Sequence, residues 1–281
     1  MKISFNLFII PVAAVLFFSG QLELYAIAYF SAFFHEIAHV LTAKKFKLDV
    51  KEIEFLPIGF AARITGLWRL SPIREIILLL AGPAVNLLFC ISLLLIVKIF
   101  PDENTSVIIN FIFVNIFLVC FNMLPIIPLD GGRILMIILS QNIGIIKCAS
   151  FCTYISKLLN SIFFILGILL FILSGNFIIL LVSFYALGFI LYDDRCSIAE
   201  SFLYILNKKN LFKKNKIIDI KLSAVIESTC LIRLIREIDR KNLIITVVFN
   251  QDNEIIGRVS ENKIIEHLLV KGENTAVGEL L

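Results

Sequence analysis

The sequence predicts an all-α polytopic membrane protein of six transmembrane helices, with a short membrane-associated β-hairpin and a small α/β domain at its C-terminal end. Three observations predict it. Of 281 residues, 59% are hydrophobic and 17% charged, against about 45–50% and about 25% in soluble domains. The apolar residues fall in runs near the ~20 residues that cross a bilayer, separated by short polar breaks. Beyond residue 217 the runs give way to short amphipathic segments of mixed period. The expected organisation is a membrane domain over 1–194, a basic linker over 195–216 and a cytoplasmic domain over 217–281.

The expected spans are 5–19, 22–43, 75–99, 106–124, 152–173 and 177–192. The first run, "FNLFIIPVAAVLFFSG", shows no small-x-small cleavage site, so it reads as a retained helix and not a signal peptide. The breaks "GQLE", "PDENTS" and "SGN" hold no Lys or Arg, whereas Lys2, Lys44, Lys45, Arg74, Arg133, Lys147 and Arg195 fall on the other side of alternating spans. The positive-inside rule then puts both termini in the cytoplasm. Residues 50–65, around Pro57 and Gly59, read as a hairpin near that surface. Residues 125–147 open on a Pro/Gly break and continue as a semi-amphipathic helix.

After 217, residues 228–242 read as an amphipathic helix, 243–250 as a strand, 251–254 as a turn, 255–260 as a strand and 261–272 as a second helix. Six cysteines without a C-x-x-C pair point to reduced thiols and to neither disulfides nor a cysteine metal site. A net charge of +4, clustered at span ends, gives no footing for nucleic acid.

The second span carries "HEIAH". On a helix His35 and His39 share one face about one turn, or ~6 Å, apart, and Glu36 lies beside them. H-E-x-x-H is the spacing with which zinc peptidases set two ligands and a general base. Chance matches to this pattern are common, but only three histidines occur in the chain, and two are here. Ionisable groups inside a span are costly and functional by default; the bland alternative is a buried polar cluster tying helices together. Lys44 follows five residues later, which sets the site about 6–8 Å below the cytoplasmic boundary. For a third ligand, Asp130 in "NMLPIIPLDGGR" is the intramembrane carboxylate on the same side. The same residues also read as a Pro/Gly turn with an Asx cap, which leaves the histidine pair unexplained.

"HEIAH", "AGPAVN" (81–86) and "NMLPIIPLDGG" occur in the order found in the site-2 protease family of intramembrane metalloproteases, and the region 30–135 resembles that family. The resemblance implies one zinc ion per chain on His35, His39 and Asp130, with Glu36 as base. It assigns Asn86, Asn122 and Pro128 to positioning the substrate or the core spans. Between the third and fourth spans only "PDENTS" is available, so no PDZ domain fits. Six spans with a cytoplasmic appendage look like the sporulation subgroup, of the stage IV sporulation protein FB type, whose appendage is a CBS motif. In the segment Ser260-Glu261-Asn262-Lys263, Lys263 stands where a nucleotide-holding CBS motif has its acid, which argues against strong ATP binding.

The expected function is regulated proteolysis near the cytoplasmic membrane face, on a membrane-associated substrate of the pro-sigma-K type, in the mother-cell membrane around the forespore. Membrane inhibitory partners and self-association through the CBS-like domain belong to the same expectation. A housekeeping site-2 protease that clears remnant signal peptides is the nearest alternative. A metal-binding transporter or an inactive scaffold is the alternative of another class, and Glu36 argues against it, since transport needs ligands but no base.

Overall fold

The computed structural model describes residues 2–99 apart from 19, 21 and 58, residues 105–174, and residues 219–281 apart from 236, 239, 241, 253 and 272–274. The expected sixth span, 177–192, and the linker, 195–216, lie outside the described residues. The chain divides into two compact units, Met1–Ile134 with Gly167–Val182, and Leu135–Leu166 with Ser183–Leu281.

The first unit opens with a strand, β1 (Lys2–Phe5), before helix α1 (Ile9–Phe18). The expected span 5–19 is therefore ten helical residues long. Asn6 Oδ1 accepts the Phe8 N–H at 3.0 Å in an Asx turn, and Pro11 sits in the first helical turn, where its missing N–H costs nothing but where the helix cannot run further back. Ile3 and Phe5 are left in extended chain. β1 pairs in parallel with β2 (Asp49–Leu56), which pairs antiparallel with β3 (Gly59–Thr65). The hairpin expected at 50–65 is thus two strands of a three-stranded sheet in the order β1-β2-β3, and β3 is an edge.

Helix α2 (Leu22–Lys45) carries the H-E-x-x-H motif. It holds β3 by its aromatic face: Phe60 lies 4.6 Å from the Tyr29 ring and 5.3 Å from that of Phe33. A single 3-10 turn, Leu67–Arg69, joins β3 to helix α3 (Pro72–Ile99). The Arg69 guanidinium lies 5.1 Å from the Trp68 ring in that turn. Helix α4 (Thr105–Asn122) follows, and helix α5 (Asp130–Leu139) begins at the expected third ligand.

α2, α3 and α4 pack together. His39 meets Leu78 and Phe34 meets Phe89, so α2 and α3 run in opposite directions. Phe30 meets Phe111 and Ser31 meets Asn115, so α4 runs with α2. Three helices among the described residues are long and apolar enough to cross a membrane, Leu22–Lys45, Pro72–Ile99 and Ile145–Leu173, and two shorter apolar helices, Ile9–Phe18 and Ser106–Asn122, stand where the first and fourth spans were expected.

Helix α6 (Ile145–Ser174) starts seven residues before the expected fifth span, after Gly144 at φ 90°. In the second unit, sheet β4-β5-β6 (Ile220–Ile226, Leu243–Phe249, Ile255–Ser260) pairs β4 with β5 in parallel and β5 with β6 antiparallel. Helices α7 (Leu231–Ile235) and α8 (Glu261–Lys271) accompany it. The helix expected over 228–242 is shortened to α7. The burial pattern continues, with Leu231, Leu234, Ile235 and Ile238 all buried, but tertiary bonds take the backbone. The Ile145 N–H donates to the Ile238 carbonyl at 2.8 Å and the Arg240 N–H to the Ser140 carbonyl at 3.1 Å. Lys147 pairs with Glu237. Strand β4 was not expected.

Candidate metal centre

Three elements bring the site together. Because His35 and His39 are one turn apart on α2, their Nε2 atoms converge to 3.1 Å. Asp130, the first residue of α5, places Oδ2 3.2 Å from His35 Nε2 and 3.3 Å from His39 Nε2. All three side chains are buried. A zinc ion at ~2.05 Å from tetrahedral ligands sets them about 3.3 Å apart. The triangle has that spacing, and its donor set, two imidazoles and one carboxylate with a fourth position left over, suits that ion.

Both imidazoles are backed by α3. His39 Nδ1–H donates to the Leu78 carbonyl at 2.8 Å, which fixes the tautomer with the Nε2 lone pair aimed at the triangle. His35 Nδ1 lies 3.3 Å from the side-chain amide of Asn86, a wholly buried residue of α3. Gly82, one turn before Asn86, makes room for both rings, since a Cβ there would collide with Nε2 of His35 and of His39. Pro83 follows it inside α3.

Asp130 is delivered by the turn that the Pro/Gly break forms. Any Cβ on Gly131 would collide with the Met123 and Leu124 carbonyls, and one on Gly132 with the Ile126–Ile127 backbone. Two residues without side chains let the chain at 123–127 fold over the first turn of α5. That turn includes a cis Ile127–Pro128 peptide.

Glu36 Oε1 accepts the Ala62 N–H of edge strand β3 at 2.6 Å. The expected base is thereby tied to the sheet edge. Asn122, the other expected positioning residue, is half-buried and donates its Nδ2 to the Leu118 carbonyl of its own helix at 3.0 Å; it touches none of the three. Pro128 is half-buried two residues before Asp130. Sequence reasoning missed Gly82, Leu78 and Ala62. The "AGPAVN" motif held the signal for Gly82, but a backbone carbonyl and a backbone N–H leave none in residue types.

The chain is 28% identical over 223 residues to a zinc metalloprotease of Methanocaldococcus jannaschii, covering 77% of this chain and 63% of that protein. It is 26% identical over 145 residues to stage IV sporulation protein FB of Bacillus subtilis, covering 51% and 49%. The chain thus spans less than two thirds of either curated relative. The solved site-2 protease from Methanocaldococcus jannaschii superposes with a TM-score of 0.57 at 28% identity, over 69% of this chain and 92% of that one. Residues 24–105 and 101–170 match peptidase family M50, just over half the chain and the part that contains His35, Glu36, His39, Asn86 and Asp130, and on that ground the chain belongs to peptidase family M50.

Proposed function

We propose that the protein is an intramembrane zinc metalloprotease of the site-2 type. The observation that carries this reading is the buried triangle of His35, His39 and Asp130 at tetrahedral ligand spacing, with a carboxylate one residue along the same helix. His35, His39 and Asp130 would hold zinc, which would supply Lewis acidity to water and to the scissile carbonyl. Glu36 takes the proton from the attacking water on its carboxylate and returns it to the nitrogen of the leaving amine. Two neutral imidazoles and one carboxylate leave the loaded centre at net +1, a charge that favours the oxyanion as it forms.

A peptide bond in an intact helix is shielded, so the substrate is read extended. Edge strand β3 offers free backbone groups to an added strand, and the Ala62–Glu36 bond supports that placement, because an extended peptide along this edge passes beside the base. Two or three main-chain hydrogen bonds there would hold the scissile bond in register.

The substrate class we infer is a membrane-associated protein cut near the cytoplasmic face, in a multi-pass protein of six spans with both termini in the cytoplasm; the charge alternation supports that orientation. Likeness to stage IV sporulation protein FB supports a sporulation precursor of the pro-sigma-K type, with membrane inhibitory partners. The archaeal relative matches more of the chain and is named for its chemistry alone, and a housekeeping protease is the second reading. The C-terminal unit, half of a CBS pair on this reading, presents an outer sheet face with Ile220, Leu222 and Ile226 exposed, which supports self-association. The acid two residues before Lys263 is not available to a ligand, since Glu261 is buried and accepts the Ile244 N–H at 3.2 Å; this supports weak or absent ATP binding.

Co-expression of the chain with each candidate substrate, as wild type and Glu36→Gln, tests the reading. Cleavage by the wild type and none by a zinc-loaded Glu36→Gln is expected. Cleavage surviving in Glu36→Gln would overturn the assignment of the base, and a chain that moves zinc across vesicles without cutting would return the transporter.

A further inference from the structure

Two side-chain carbonyls deep in the helix bundle accept no hydrogen bond from any described residue. They are Asn86 Oδ1 on α3 and Asn115 Oδ1 on α4, and both residues are wholly buried. An unpaired buried carbonyl between apolar helices costs several kcal/mol, and two of them call for a common explanation.

They lie at the same level. The Cys90 thiol on α3 meets the Ile112 carbonyl on α4, and these helices run in opposite directions. Asn86, four residues before Cys90, and Asn115, three after Ile112, are therefore both about one turn away in the same direction. On α2, Ser31 and His35 share one face at i, i+4. Ser31 Oγ accepts from Asn115 Nδ2 at 3.0 Å, and that same amide also reaches the Phe111 carbonyl at 2.9 Å. His35 Nδ1 lies 3.3 Å from the Asn86 amide.

One rotation of the Asn86 amide resolves all of it. A His35 that presents its Nε2 lone pair to the triangle carries its proton on Nδ1 and needs an acceptor there. Amide oxygen and nitrogen are interchangeable by a half-turn. Turned, Asn86 Oδ1 accepts from His35 Nδ1–H, and Asn86 Nδ2 is free to donate towards Asn115 Oδ1, directly or through one water. Asn115 is itself fixed by Ser31 and the Phe111 carbonyl, so its oxygen is a rigid anchor.

We propose that Asn115, held by Ser31, is a positioning residue for His35 and acts through Asn86. The inference rests on the metalloprotease reading above and extends it to a residue of α4 that lies outside the family motifs.

The test is the zinc dissociation constant of the full chain in detergent, measured by competition with a chromophoric chelator, for wild type, Asn86→Ala, Asn115→Ala and the double variant. Each single change is expected to weaken zinc about 10-fold, the lower end of what partners behind metal ligands contribute. The double variant is expected to be no weaker than Asn86→Ala, because a relay once broken cannot be broken again. A wild-type affinity in Asn115→Ala, or losses that multiply in the double variant as for two independent packing defects, would overturn the proposal. If Asn115→Ala does not fold, Ser31→Ala replaces it in the same cycle with the same criteria. Absence of zinc binding by the wild type would sink the metal reading, and the relay with it, a result distinct from a silent Asn115.

Discussion

At the scale of single residues, Glu36 differs from its neighbours in touching none of the three converging atoms. Glu36→Gln is expected to keep full zinc occupancy while kcat/KM falls by about 10²–10⁴, the range of a lost general base. His35→Ala, His39→Ala and Asp130→Ala are expected to lose both, and metal analysis of the purified variants checks it. Gly82→Ala makes a sharper test of the geometry: its methyl would enter the space where both Nε2 atoms meet, so zinc should be lost from a chain whose ligands are all intact. The H-E-x-x-H motif was legible because its geometry is local to one helix. Asp130 was legible through charge rarity and topology. Asn115, Leu78 and Ala62 were not, because what they do depends on which helix or strand lies opposite, and residue type does not encode that.

At the scale of elements, β3 sets the substrate's path on the proposed reading. Ala62→Pro removes the N–H that Glu36 holds and blocks main-chain pairing at the middle of the edge, while an edge strand tolerates proline in its fold. Zinc binding is expected to persist while cleavage falls at least 10-fold, seen in parallel metal and proteolysis assays. Gly131→Ala should instead destabilise the turn that delivers Asp130, by about 1–3 kcal/mol in chemical unfolding. The hairpin was readable from Pro57, Gly59 and alternation. Its third strand was not, because Lys2–Phe5 lies some fifty residues away in sequence from β2 and within an apolar run that reads as helix. The alternation of Ile220, Leu222, Ala224 and Ile226 in β4 was present but adjoined a basic stretch. In 228–242 helical periodicity was real, yet the bonds from Ile145 and to Ser140 outcompeted the helix after Ile235.

At the scale of the whole molecule, the proposed orientation predicts that a cysteine placed at position 103 of a cysteine-free chain is labelled from outside the cytoplasm, and one at position 50 from inside. The reverse at 103 would invert the site. Leu222→Glu, which puts a charge on the exposed outer sheet face, is expected to abolish self-association in sedimentation while leaving zinc binding unchanged. The joint between β3 and α3 has a practical consequence for watching all this happen. Trp68 is the single tryptophan of the chain, and it sits in the three-residue turn between the strand that would receive substrate and the helix that supplies Leu78, Gly82 and Asn86. Indole emission from the unlabelled protein therefore comes from that one place, so a wavelength shift on adding an extended peptide would time the docking step by itself, ahead of any bond being cut, and would do so in the Glu36→Gln protein where no product ever forms.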